Sequence, residues 1–271
     1  MGYINYKILK HELPDNMKWL QNRTILLTRT GSYAYGTNTP QSDEDYRGVC
    51  IPPPEYFLGL KSINEYNTSG GKNFVKNVAG DIDITITHIN KFVRDALNGV
   101  PNNLDILFCR DEDIIYIDEF GQELRNIRKE FLSKALKHKF CGYAHSQKHK
   151  LIIKKGNGTG RQELVEKYGY DCKFAMHAVR LLTSVIEILE THDYHTYRPD
   201  REWLLEIRNG KYTIEEIFEI LDDLEAKVEK LYLTSDLPEH CNYNKINDWL
   251  VSLNMKALNY NWDCQKTDKN F

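Results

Sequence analysis

The sequence predicts an α/β protein, and three observations carry that reading. Apolar, β-branched-rich runs sit at 24–28, 48–51 and 81–87, helix-period patterns dominate from Phe120 onward, and Gly- and Asn-bearing turns separate the segments. A length of 271 residues with 41% hydrophobic content allows a substantial core divided between two modest domains.

Taken in order, Thr24-Ile25-Leu26-Leu27-Thr28 reads as a buried strand that Gly31 ends. A glycine lets backbone approach a ligand closely. Ser32 adds a hydroxyl beside N–H groups that would open a short helix, an environment suited to an oligophosphate. Gly48-Val49-Cys50-Ile51 then places Asp43 and Asp45 at the entrance of a second strand. Strand side chains alternate faces, so Asp43 and Asp45 point the same way and Glu44 the other. Two aligned carboxylates suit a hard cation, Mg²⁺ or Mn²⁺, that keeps part of its water shell and takes nucleotide phosphates as further ligands. A lone Asp-x-Asp is more often a solvated turn; beside a Gly-Ser turn it reads as a metal site. Asp81 to Thr87 alternates as a strand does and offers a third acid, Asp81 or Asp83, on a shared face.

The segment Asn67 to Gly80 reads as a loop or hairpin between the second strand and this third one. His88 to Leu97 is a helix ending at Asn98-Gly99, and Leu104 to Phe108 is a short strand or an apolar helical turn after Pro101. Phe120 to Lys139 is helical, and His145 to Lys155 continues it. Thr213 with Glu216 forms a capping box starting a helix to about Leu233, and Lys245 to Leu258 is one more amphipathic helix. Trp203 and Trp249 are expected to pack these helices. A boundary falls near Phe120, giving domains 1–120 and 121–271.

Gly31, Ser32, Asp43, Asp45 and a later acid together resemble the DNA polymerase β nucleotidyltransferase superfamily, whose pattern is Gly-Gly or Gly-Ser, then Asp-x-Asp or Asp-x-Glu, then a third acid on a later strand. Within it the chain is most similar to the RNA-ligase-associated, RNA repair branch, also called YcgL-like. The stretches SDEDYRGV, DITITHINKF, NNLDILF, KYGYDCKFAMHAVRLL and LLEIRNGKYTIEEI carry that likeness, from Leu26 to Leu224. The resemblance implies a small mixed sheet with flanking helices, followed by a mainly helical C-terminal part. It implies transfer of a nucleoside monophosphate from an NTP with release of pyrophosphate, and it selects Asp83 over Asp81 as third carboxylate. Metal ligands would then be Asp43, Asp45 and Asp83, with Asp83 also taking the acceptor's proton. Arg47, two residues beyond Asp45 on the same face, is placed to stabilise phosphate charge.

The net charge of −3 conceals a segregated field. From Arg125 to Arg180 there are 14 Lys and Arg against 4 Asp and Glu, or +10, leaving −13 for the remainder. Such a segment can attract a polyanion, so nucleic acid is an expected partner, RNA in preference to DNA, with Tyr143, Tyr168 and Tyr170 as candidate stacking surfaces. Lys154, Lys155 and Arg161 flank three glycines in a loop suited to closing over phosphates or the acceptor strand. Lys173, His177 and Arg180 recur at spacings of four and three, so one helical face presents three cationic or hydrogen-bonding groups for a triphosphate or a nucleic-acid phosphate. Opposite them Phe174, Ala178, Leu181, Leu182, Val185 and Ile186 form the apolar side.

Six cysteines lack any CxxC pair, and His145 and His149, four apart, lack a partner acid, so neither a zinc site nor a disulfide framework is indicated. No apolar run is long enough to span a bilayer and no secretory core is present, which places the chain in the cytoplasm, or in a host's cytoplasm if viral. An acceptor that is a small molecule or protein side chain, and a catalytically silent nucleic-acid-binding module, stay open alongside the nucleic-acid acceptor. So do base identity and oligomeric state.

Overall fold

The structure is a computed structural model that describes residues 13–40, 42–68, 82–153 and 162–262. Asp81, the Lys154, Lys155 and Arg161 loop, and most of the 67–80 connection lie outside the described residues.

A single turn, α1 (Leu20–Arg23), leads into β1 (Thr24–Thr30), and α2 (Gly31–Tyr35) follows at once. Next come β2 (Glu44–Cys50), the short β3 (Glu65–Asn67) and β4 (Ile82–His88). They join a five-stranded sheet completed by β5 (Ile114–Ile117), in the order β3-β4-β2-β1-β5. The sheet is mixed: β2 and β4 run parallel, and every other neighbouring pair is antiparallel.

Alternation along the strands divides the core. Leu27, Tyr46, Cys50, Ile84 and Ile86 form a smaller cluster with Leu13 and Leu20 on one face. Leu26 and Val49 join the larger cluster on the other, where the helices pack. A register shift between Thr24 and Leu26 lets Ile25 and Leu26 both enter that larger cluster, which a strict two-residue period would forbid. Ile84 and Ile86 point away from the helices, so Asp83 points toward them, as does Asp45, which shares Val49's parity on β2.

The helices follow as α3 (Ile89–Leu97), α4 (Pro101–Leu107), α5 (Glu119–Asn126), α6 (Leu136–Ile153), α7 (Gln162–Tyr168), α8 (Cys172–Thr191), α9 (Arg201–Arg208), α10 (Ile214–Thr234) and α11 (Tyr243–Leu258). The segment after Pro101 is helical: proline at the first turn supplies a preset φ, and Val100 precedes it in extended backbone. The long helix expected over 120–139 is instead interrupted. A 3-10 turn at Arg128–Phe131 buries Phe131, and the amides of Lys134 and Ala135 donate to the carbonyls of Pro238 and Glu239 at 2.9 and 3.1 Å. Tertiary pairing there replaces helical hydrogen bonds. The short strands β3 and β5 and the helices α7 and α9 were not expected from the sequence.

Helix α8 is central, packing on α6, α9 and α10. Asp171 caps it, accepting hydrogen bonds from the Lys173 and Phe174 amides. Phe120 stacks on Trp262 with ring centroids 5.1 Å apart, and the larger cluster runs from Ile25 to Trp262 without interruption at residue 120.

Two outcomes follow. The capping box of α10 is made in both directions, Glu216 N to Thr213 Oγ1 at 3.2 Å and Thr213 N to Glu216 Oε2 at 2.7 Å. Thr213→Ala should therefore cost about 1 kcal/mol, seen as a fall of a few degrees in calorimetric melting temperature. Asp118 caps α5 through the Gly121 amide at 2.9 Å, and burial pushes its carboxyl up to about 7. An unfolded aspartate titrates near about 3.9, so the native state binds the extra proton between those values and loses stability as pH rises through them. Asp118→Asn keeps a good cap without that titration. Its melting temperature relative to wild type should be more favourable at pH 8 than at pH 5, and an equal difference at both would contradict the assignment.

Candidate active site

The site forms where β1 hands over to α2. Thr30 is extended, Gly31 turns at φ +66°, and Gly36 closes the short helix at φ +73° with its amide donating to carbonyls of Ser32 and Tyr33. Gly31 is required for a second reason. A Cβ there would lie 2.4 Å from Asp45 Oδ2, so the carboxylate rests directly on the glycine backbone.

Asp45 is brought there by register. It pairs with Thr30 on the antiparallel side and with Asp83 on the parallel side, which sets the two acids side by side on one face of adjacent strands. Neighbouring strands lie about 4.8 Å apart, so these side chains share a site by construction. Burial and then the Asp83 charge hold the Asp45 carboxyl above its ordinary pKa, with Asp43 adding to the rise and Arg47 and Lys173 opposing it. Asp43, Asp45, Asp83, Arg47 and Lys173 therefore occupy one electrostatic neighbourhood. Among the described residues no three His, Cys, Asp or Glu side chains close into a ready-made ligand set. The acids are neighbours with all-oxygen donors, and the partly compensated charge at Asp45 is a condition that a hard divalent cation relieves. The donor chemistry thus fits Mg²⁺ or Mn²⁺.

A recess of about 130 Å³ opens beside Asp45 and Arg47, lined by Thr30, Gly31, Tyr35, Asp45, Arg47, Asn102 and Asp105. Four of these, Thr30, Tyr35, Asn102 and Asp105, were not expected from the sequence. Asp105 is 2% exposed and accepts hydrogen bonds from Tyr35 Oη at 2.6 Å and Tyr194 Oη at 2.5 Å, and its backbone carbonyl accepts from Thr196 Oγ1 at 2.9 Å. The available signal was an acid embedded in the apolar run Leu104 to Phe108, where burial demands partners.

Arg180 belongs to this buried group. Its guanidinium stacks 3.8 Å from the Tyr35 ring centroid and stands 3.9 Å from Asp105 Oδ1, while Nε and Nη1 make no hydrogen bond. The structure thus sets Arg180 behind the wall of the recess instead of in it. Lys173 reaches Asp45's field from the first turn of α8, and His177, half-buried, follows one turn later on the same helix.

Several described cations of the basic segment are answered within the fold. Lys137 meets Glu229 at 2.5 Å, Lys148 meets Asp222 at 2.5 Å and Glu225 at 3.5 Å, and Lys129 meets Asp193 at 2.8 Å. Tyr170 is buried and donates to the Tyr212 carbonyl at 2.8 Å, and Tyr168 covers Gly210, so neither is an open stacking surface; Tyr143 is exposed.

Comparison with known proteins places this geometry in context. A family model described as the RNA repair pathway DNA polymerase beta family matches residues 7–252. An uncharacterized 38.9 kDa protein from the nrdC-mobD intergenic region of Enterobacteria phage T4 is 27% identical over 135 residues, covering 49% of this chain and 40% of that protein. The chain thus matches about two fifths of the length of this curated relative. A nucleotidyltransferase-like protein from Exiguobacterium sibiricum 255-15 aligns over 78% of this chain and 69% of its own, at 12% identity and a TM-score of 0.27.

Removing Asp105 would strand Arg180 and two tyrosine hydroxyls in the interior. Asp105→Ala should cost about 3–5 kcal/mol, the scale for breaking a buried charge pair, and lower the urea midpoint accordingly. A loss under about 1 kcal/mol would show that water replaces the carboxylate there.

Proposed function

This chain belongs to the RNA repair pathway DNA polymerase beta family, a nucleotidyltransferase family, and from that premise we propose that it transfers a nucleoside monophosphate from an NTP to an acceptor hydroxyl on a nucleic-acid end, RNA in preference to DNA, releasing pyrophosphate. One observation carries the reading: Asp45 and Asp83 stand in register on parallel strands, with the Asp45 carboxylate pressed against Gly31.

In this reading Asp43, Asp45 and Asp83 would hold Mg²⁺ or Mn²⁺. When bound, such ions supply Lewis-acid polarisation of the phosphates and lower the pKa of the acceptor hydroxyl. The backbone of Gly31 and Ser32 holds the outer phosphate oxygens, and Arg47, on the face shared with Asp45, offsets charge on the phosphates. Lys173 adds a second cation beside Asp45, with His177 a hydrogen-bonding group further along α8. Arg180 acts from beneath, through Tyr35. The acceptor oxygen forms a bond to the α-phosphorus, its proton passes to Asp83, and the bond to the β-bridging oxygen breaks in line as pyrophosphate leaves.

Transfer chemistry is assigned to residues 1–120 and supporting substrate contacts to 121–271, with Lys154, Lys155 and Arg161 offered to the acceptor. Among the described residues no helix is long and apolar enough to cross a membrane, and we place the chain in the cytoplasm, or in host cytoplasm if viral. A second reading, in which the acceptor is a small molecule or protein side chain, draws support from the internal pairing of Lys137 and Lys148. Salt dependence separates the two: a polyanionic acceptor loses affinity steeply as salt rises and a small neutral one does not. A silent nucleic-acid-binding module is disfavoured by the intact trio of acids.

The deciding assay incubates the chain with α-labelled NTP, Mg²⁺ and mixed RNA. Asp43→Ala, Asp45→Ala and Asp83→Ala should each lower label transfer a hundredfold or more, as expected for losing about 2–4 kcal/mol of transition-state stabilisation. The melting temperature should hold or rise, because like charges no longer face one another. Retained transfer in Asp43→Ala and Asp45→Ala together would refute the assignment.

A further inference from the structure

The segment joining the Gly31-Ser32 turn to Asp43 is gripped from one side by residues far along the chain. The amide of Arg198 donates to the Tyr35 carbonyl at 3.2 Å. Gly36 lies so close to the Tyr197 ring and the Arg201 side chain that a Cβ would approach them to 2.6 and 2.9 Å. At the far end, the Arg208 guanidinium spans the loop. Its Nη1 donates to the Thr37 carbonyl and its Nη2 to Ser42 Oγ at 3.4 Å. Ser42 Oγ also accepts from the Thr39 amide at 2.9 Å, so the same hydroxyl closes the local turn and meets the arginine.

These contacts differ in what they control. Arg198 and Tyr197 hold the end of α2, where the phosphate turn is already fixed by strand β1. Among the described residues Arg208 bridges the two ends of the stretch from Thr37 to Ser42, and the residue after Ser42 is Asp43. A planar fork with donors on two nitrogens fixes a distance between its acceptors, which a single ammonium cannot do. Asp43 stands just outside β2, so strand pairing does not hold it as it holds Asp45.

We infer that Arg208 is a positioning residue for the site: by bridging the Thr37 carbonyl and the Ser42 hydroxyl, it sets where Asp43 stands relative to the Gly31-Ser32 turn. The inference rests on the transfer reading for its kinetic consequence, whereas the bridging itself does not. It gives the helical part of the chain an indirect hold, through the loop, on a carboxylate that lies outside the strand pairing. Arg208 touches no reacting atom in this scheme and works entirely through the loop.

The test uses the full chain with Arg208→Met and Arg208→Lys. Hydrogen exchange of peptides spanning 31–45 reports the bridge, and steady-state NTP turnover reports its effect. In Arg208→Met, exchange over this span should quicken while the rest of the chain and the melting temperature stay near wild type. The kcat should fall about tenfold or more with KM for NTP within about threefold, as misplacement of a catalytic group predicts. Arg208→Lys, with one point of attachment, should fall between. Unchanged exchange would overturn the inference, as would faster exchange with kcat within about twofold of wild type. If Arg208→Met does not fold, Arg208→Gln, which stays polar but is too short to bridge the two acceptors, is judged on the same two readouts. A wild-type chain that turns over no NTP would instead refute the transfer reading, and the exchange result then decides the bridge alone.

Discussion

The contact between the Asp45 carboxylate and the Gly31 backbone is the constraint on which the rest of the site depends. It needs a residue without a side chain at 31, an antiparallel pairing that sets Thr30 beside Asp45, and a parallel pairing that sets Asp83 on the other flank. Any one-residue slip of β2 would turn Asp45 to the opposite face and bring Glu44 or Tyr46 in its place. The apolar demand of the sheet prevents that slip, because Tyr46, Ile84 and Ile86 fill the smaller cluster only in the observed register. Core packing on one face therefore dictates chemistry on the other.

A buried polar group forms the inner wall of the recess. Asp105 answers Tyr35 and Tyr194, and Arg180 lies over Tyr35 with two donors unpartnered. An incompletely satisfied interior cation is expensive unless its neighbours hold it in one place. Here the neighbours come from α2, α4, α8 and the segment before α9, so four parts of the chain meet at one carboxylate. The glycine turn is thereby braced from within and not merely by its own short helix.

Much of this was legible in the residues. The strand at 24–28 follows from its apolar, β-branched run and the glycine that ends it, the acids at the entrance of β2 from the run behind them, and the strand through Asp83 from its alternation, although alternation by itself offered Asp81 equally. The capping box at Thr213 and Glu216 was equally plain, since both partners lie within one turn. What local pattern could not convey was long-range. The break at 127–135 arises because the Lys134 and Ala135 amides find partners at 238 and 239, and β3, only three residues long, owes its strand conformation to β4. Arg180 shows the same limit at the site: spacing placed it on the cationic stripe of α8, but only the packed fold decided that the outer end of that stripe meets the acids while its inner end is sealed. The charge of the basic segment was counted correctly and its pairing across to α10 was invisible.

The uninterrupted apolar cluster, from Ile25 through Phe120 to Trp262, has a bearing on how such a protein can change over generations. A chain whose catalytic and helical parts each closed on a private interior could exchange one of them wholesale with a relative. Here the same side chains line both, and the loop before Asp43 is braced by an arginine beyond position 200. Recombination at the middle of the gene would mismatch two halves of one interior, so diversification is steered toward point changes around the recess and insertions at the periphery.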